Sequence, residues 1–353
     1  MTAIKCQIYF AFILPFISFI IFSDASDYTG EKELHDENIS LMSELKDSLK
    51  SKDYDVQINA LVEIRTLLST KDEIKFGDEQ FVVLDEKLDE IVENGLIPIL
   101  IDCMHSKSLE IQERAAWILT HISIFSPHYA KQVVNAGGIQ PFIYLMDSNN
   151  FAMKEETIWA LQAIVHRSKE DRDFTISQGM IPKIVKIVMF DKPPSNIEVK
   201  VAELIKAILV HREISTQALK ELLPAIKKLL DSKNDDAIDV ILQSLYFAVI
   251  DDEVSQIFFD FGIPEKLVPF LGSENYKFRA IALPVIGNMC HFQPEKTKIF
   301  LDLGMLKYMP KLLDHKDTRE NALMFTSKTA NEEVKKFFED YEIKEIQNSK
   351  IEL

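Results

Sequence analysis

Between residues 138 and 178, apolar and polar positions follow a helical rhythm that breaks twice. Gly138-Ile-Gln-Pro141 opens a first helix, with proline near the first turn, where its missing N–H costs nothing. Phe142, Ile143, Leu145 and Met146 make its apolar face, and Asp147-Ser-Asn-Asn150 ends it. The pattern predicts a second, longer helix from about Met153, with Ile158, Leu161, Ile164 and Val165 at helical spacing. Ser168-Lys-Glu-Asp171 is the next break. A short helix, Arg172 to Ser177, runs into Gly179, a residue suited to the left-handed turn that closes a helix.

This three-helix unit recurs. Gly95, Gly138, Gly179, Glu221, Gly262 and Gly304 stand 43, 41, 42, 41 and 42 residues apart, and most open a Gly-x-x-Pro string or a close variant. The form at Glu221-Leu-Leu-Pro224 is the weakest. A period near 42 residues marks stacked helical repeats, each burying its apolar faces against its neighbours. It predicts an all-α, right-handed α-solenoid of about seven repeats, whose working surface is a long concave face suited to binding. No stretch keeps a period of two for long, so no sheet is expected. Residues 71–90 read as an insertion and 190–196, Phe-Asp-Lys-Pro-Pro-Ser-Asn, as a longer loop. From about Lys335 a charged helix and polar tail read as a cap.

Composition changes this picture little. With 47% hydrophobic residues in 353 there is material for a large core, and the unbroken period assigns it to one array rather than two or three domains. The expected divisions are an apolar segment at 1–25, an acidic linker at 26–43, the solenoid at 44–340 and a polar tail at 341–353. A formal net charge of -16 disfavours phosphate backbones, so no nucleic-acid partner is expected. It favours a basic, extended protein segment, or it serves solubility alone. Cys6, Cys103 and Cys290 are too far apart in such an array to pair, which fits a reducing compartment.

The N-terminus points the other way. Cys6 to Ser23 carries no charge, follows Lys5 and precedes small residues, the layout of a secretory signal peptide. Residues 6–22 could also just span a membrane as an anchor. A third reading places the true start at Met42. In the secretory pathway Asn38-Ile-Ser40 would be a glycosylation sequon.

Several strings resemble importin-α, the armadillo adaptor of nuclear protein import. They are Glu113-Arg-Ala-Ala-Trp117-Ile-Leu-Thr-His121, Glu155-Glu-Thr-Ile-Trp159-Ala-Leu-Gln-Ala163, the run from Tyr276 to Asn288-Met, and Asn59 to Leu68. The likeness covers roughly 44–313. It implies armadillo repeats, with the third helix of each lining a groove that binds basic nuclear localisation peptides, in cytoplasm and nucleus. In that family a Trp followed four residues later by Asn is the binding unit. Residues i and i+4 share one helix face. The Asn amide holds the peptide main chain, while Trp side chains sandwich Lys or Arg stems and attract their charged heads. The resemblance implies Trp117, His121, Trp159 and Asn288 as peptide-binding residues.

The unit is eroded here. Trp117 and Trp159 are followed by His121 and Ala163, and the next pair is Glu203 and Ala207. Arg167 stands where the family commonly carries an acid, Phe125 where it has a small residue, and Pro284 where it often has Arg. The family's basic N-terminal segment, which recruits importin-β, has an acidic counterpart here, and the array reads as about seven repeats against ten. These departures imply weakened binding of basic peptides and place importin-β binding in doubt. The alternative is a degenerate armadillo scaffold for protein–protein interaction, membrane-tethered or secretory if residues 1–25 are a true anchor or signal. No Gly-rich phosphate loop, Cys-x-x-Cys, His-Glu-x-x-His or nucleophile elbow occurs, so no enzyme, cofactor or metal is expected.

Overall fold

The computed structural model describes residues 41–76, 79–82, 85–292, 294–328, 332–337 and 339–341. The apolar segment 1–25, the sequon and the tail beyond 341 lie outside the described residues, as does the linker up to residue 40. The chain forms two compact units, Met1–Glu44 and Leu45–Leu353. Only residues 41–44 of the first are described, and they are helical.

The second unit is an α-solenoid. Its long helices are α1 (Tyr54–Leu68), α2 (Leu109–Phe125), α3 (Phe151–Arg167), α4 (Ser195–Val210), α5 (Asp235–Ala248), α6 (Tyr276–Phe292) and α7 (Lys316–Lys328). Each packs on the next in chain order, α1 on α2 through to α6 on α7. Shorter helices connect them: Pro127–Asn135 and Ile139–Leu145 between α2 and α3, Lys169–Ser177 and Met180–Phe190 between α3 and α4. This is the three-helix repeat that the apolar pattern predicts. Among the described residues no helix is long and apolar enough to cross a membrane.

The long helices begin in register because their entries share one device. The side chains of Asp53, Asn150, Asn234 and Asn275 accept hydrogen bonds of 2.9 to 3.1 Å from the N–H groups of Asp55, Ala152, Asp236 and Lys277. Two residues earlier a serine hydroxyl accepts from the N–H of the cap itself: Ser51, Ser148, Ser232 and Ser273. Ser106 does the same for Ser108 at the entry of α2. Each Ser-x-Asx string therefore satisfies donors that a helix start leaves without partners. Positions counted from these caps fall on matching faces of successive helices. At α4 the string is replaced by Pro193-Pro194, with Pro194 in extended conformation as the cap.

Two local expectations are corrected. Thr70–Phe76 and Glu79–Val82 form strands β1 and β2 of an antiparallel hairpin, with Lys75 opposite Gln80, so the expected absence of sheet fails there. Thr70, Ile74, Phe76, Phe81 and Val82 are β-branched or aromatic residues that suit a pleat. The caps Asp53 and Ser108 are 55 residues apart where Ser108 and Asn150 are 42 apart, and the excess of 13 equals the span 70–82. The insertion is looped out while α1 and α2 remain neighbours.

Gly179 takes the expected left-handed turn, with φ 94°. In the preceding repeat Gly137 takes it, with φ 91°, while Gly138 is needed for space, since a Cβ there would lie 2.6 Å from Val133 Cγ1. The second correction is at Glu221, where no turn forms. Thr216–Leu230 is one continuous helix with Pro224 inside it. A glutamate reaches the left-handed region only at a cost of about 1–2 kcal/mol, so the break between the short last helix of the preceding repeat and the first helix of this one is lost.

One buried charge ties two repeats together. Arg172 is fully buried. Its guanidinium donates to the carbonyls of Ile208, Arg212 and Glu213 at 3.3, 2.6 and 3.3 Å, closing the end of α4. Arg212 and Glu213 both have positive φ, 53° and 45°, which aims their carbonyls inward. Cys103 and Cys290 are buried and free, and burial pushes their thiols up to about 11 and about 12.

Candidate functional site

The helices α3 and α4 each present one partly exposed stripe at helical spacing: residues 152, 155, 156, 159, 162, 163 and 166 on α3, and 196, 199, 200, 203, 206 and 210 on α4. Nine and thirteen residues after each cap stand Val62 and Thr66, Trp117 and His121, Trp159 and Ala163, Glu203 and Ala207, Gln243 and Phe247, then Pro284 and Asn288, of which Trp117, His121 and Ala207 are buried. The two tryptophans thus occupy equivalent positions on adjacent helices.

They are joined by an unbroken line of ring and cation contacts. The Arg65 guanidinium, from α1, lies 4.3 Å from the centre of the Trp117 ring. The His121 ring stacks on Trp117 at 3.7 Å and 24°, and meets Trp159 edge-on at 5.7 Å. The Lys200 ammonium, from α4, lies 5.3 Å from the Trp159 ring. Trp117 is left only 7% exposed and His121 only 3%. His121 Nδ1 is 2.8 Å from the Trp117 carbonyl, which can only accept, so Nδ1 carries a proton. Burial pushes the His121 pKa down to about 4; the Trp117 carbonyl opposes this and Arg65 adds to it. His121 is therefore neutral near pH 7 and braces the two indoles from within.

Beside Trp117, Arg65, Glu110, Glu113, Arg114, Ala152 and Glu156 line a cleft of about 440 Å³. Arg114 is held by Glu110 through bonds of 3.1 and 2.7 Å. Beyond Trp159 the polar line continues. Lys200 pairs with Glu203 at 3.3 Å, and Lys206 donates to Gln243 at 2.6 Å, which donates to Asp239 at 2.8 Å. Burial lowers the pKa of Lys206 and raises that of Asp239.

The remaining sequence-derived positions do not join this line. Asn288 is on α6, three long helices beyond Trp159 in the stack, half-buried, and its amide makes no hydrogen bond among the described residues. Arg167 is turned away from the role of a repelling charge. It donates to the Pro127 carbonyl at 2.8 Å and pairs with Asp171, locking α3 to the short helices around it. Phe125 packs against Tyr129, with ring centres 5.8 Å apart. Sequence reading did not single out Arg65 and Lys200. Their signal is a basic residue on the helix before and the helix after a tryptophan, which has meaning only once the stacking register is known.

Among the described residues no cluster of His, Cys, Asp and Glu is placed to hold a metal ion.

The armadillo/beta-catenin-like repeat model matches residues 85–124 and 126–165. Importin subunit alpha-8 of Arabidopsis thaliana is 22% identical over 269 residues, covering 76% of this chain and 56% of its own length. Importin subunit alpha-1b of Oryza sativa subsp. japonica is 22% identical over 283 residues, covering 79% and 51%. The chain spans about half the length of these relatives. An engineered protein of known structure shares the fold with a TM-score of 0.68 at 22% identity, covering 85% of this chain and 70% of that one. A designed armadillo repeat protein in complex with peptide (KR)4 has a TM-score of 0.59 at 18% identity, covering 70% and 99%. Matched repeats and shared fold agree: residues 85–165 match armadillo repeats, the chain has the armadillo solenoid fold, and in sequence it is similar to importin-α subunits.

Proposed function

We propose that this protein binds an extended protein segment along the matching faces of α1 to α6, as a divergent importin-α-like adaptor in cytoplasm and nucleus. Trp117, Trp159 and Asn288 are its contact residues in this reading, and His121 supports the two indoles. The observation that carries it is the register. One pair of equivalent positions per helix recurs along the stack, and an extended chain repeats its side chains in the same linear way. A designed relative in fold holds the peptide (KR)4, which supports peptide binding as the use of this architecture.

Carriage of Lys-rich nuclear localisation peptides is weakened in this reading. The Asn partners of both tryptophans are replaced by His121 and Ala163, and each lost hydrogen bond to a peptide main chain removes roughly 0.5–1.5 kcal/mol. Residues 24–50 are net acidic, so this stretch offers no Lys/Arg-rich helix for importin-β.

The test is a footprint. Peptides selected from a random extended library against the full chain should slow hydrogen exchange in α2 to α5, and Trp159→Ala should weaken their binding at least fivefold. Protection confined to the outer helices Ile139–Leu145 and Met180–Phe190 would sink the reading.

A further inference from the structure

Both tryptophan faces that a peptide's Lys or Arg would stack on already carry a cation from this chain. Arg65 reaches Trp117 from the preceding helix, and Lys200 reaches Trp159 from the following one. Arg65 is exposed and makes no ion pair among the described residues, so its contact with the indole is not a by-product of a salt bridge. Lys200 is half-buried, and its one ion pair among the described residues is the short-range link to Glu203 on its own helix. Both are long, flexible side chains whose charged heads lie over the rings.

We propose that Arg65 and Lys200 are specificity-determining residues: they fill the Trp117 and Trp159 faces in cis and set this surface against Lys- and Arg-rich segments. The inference rests on the reading of this face as a peptide groove. Tethering makes the occupancy effective. A cation anchored one helix away acts at a local concentration in the millimolar range or above, so an incoming cation must compete with it at every encounter. Like charge adds to the exclusion. Without the Arg65 head, the cleft beside Trp117 keeps Glu110, Glu113 and Glu156 against one remaining cation, Arg114. That combination suits a basic side chain.

The chain contains two tryptophans in all, so its intrinsic emission reports on these faces directly. The experiment titrates a labelled (KR)4 peptide into the full-length wild type, Arg65→Ala, Lys200→Ala and the double variant, with Arg65→Gln as a control that keeps most of the stem. Circular dichroism and the thermal midpoint confirm that each variant is folded. The double variant should bind at least tenfold more tightly than wild type, with a change in tryptophan emission, and adding Trp159→Ala should erase most of the gain. Arg65→Gln should behave like Arg65→Ala. Equal affinity of wild type and double variant overturns the proposal. If that shared affinity is tight and lost with Trp159→Ala, the groove reading stands while occupancy in cis falls. If no variant binds, occupancy in cis falls and the library footprint decides the groove. A gain that survives Trp159→Ala also overturns it.

Discussion

At the residue scale, buried charge and buried neutrality are set by a few partners. Arg172 supplies donors to three carbonyls that the turn at Arg212 and Glu213 aims at it. Arg172→Met should cost about 3 kcal/mol, because hydrogen bonds to charged groups are worth about 1.5–3 kcal/mol and the abandoned carbonyls stay buried. A urea midpoint unchanged from wild type would count against this account. His121 gives a pH signature. Its pKa is about 4 in the fold against an ordinary 6.5, so the unfolded chain binds the extra proton between those values. Its contribution is complete above pH 6.5 and is lost as pH falls from 6.5 toward 4, by about 2–4 kcal/mol in all. His121→Gln should flatten the stability profile across that window; an unaltered slope would show that the ring is not held neutral. Trp117 and Trp159 were legible in the sequence because each carries its own local string. Arg65 and Lys200 were not, because their role depends on contacts between helices some 40 to 50 residues apart.

At the element scale, the same sequence mark has opposite meanings. Gly179 is left-handed with nothing within 4 Å of a Cβ, so Gly179→Ala meets a backbone penalty alone, about 1–2 kcal/mol. Glu221 occupies the equivalent place in a continuous helix, so Glu221→Gly should also destabilise, by about 1 kcal/mol, rather than restore a turn. Thermal melts of the two variants test the pair, and stabilisation by either refutes the reading of that site. Asn234→Ala removes a cap with two N–H partners and should cost about 1 kcal/mol, read from the same melts. Helices and period were legible because apolar spacing and glycine position are local signals. The fused helix was not, since Pro224 looked like another helix start while the missing glycine decided the outcome. The Ser-x-Asx entries were present in the sequence at Ser51, Ser148, Ser232 and Ser273, but they become recognisable only when their hydrogen bonds align the helices.

At the scale of the whole molecule, each long helix of the second unit is held chiefly by the helices before and after it. Stability in such an array is close to a sum of repeat and interface terms, so opening should proceed from the ends inward. Hydrogen exchange should show α3 to α5 protected longest and α1 and α7 first to exchange. Uniform protection along the stack would show instead a single cooperative unit.

The hairpin at 70–82 carries a consequence for how the chain can change. The 13 positions from 70 to 82 are inserted between α1 and α2, which remain neighbours, so chain length at this point is decoupled from helix register. Doubling a loop costs only about 0.6 kcal/mol in closure entropy, whereas one residue added within a long helix rotates its whole stripe by about 100°. Position 70–82 is therefore a port, a place where the chain can gain or lose a whole accessory module while the ladder beside it stays in step.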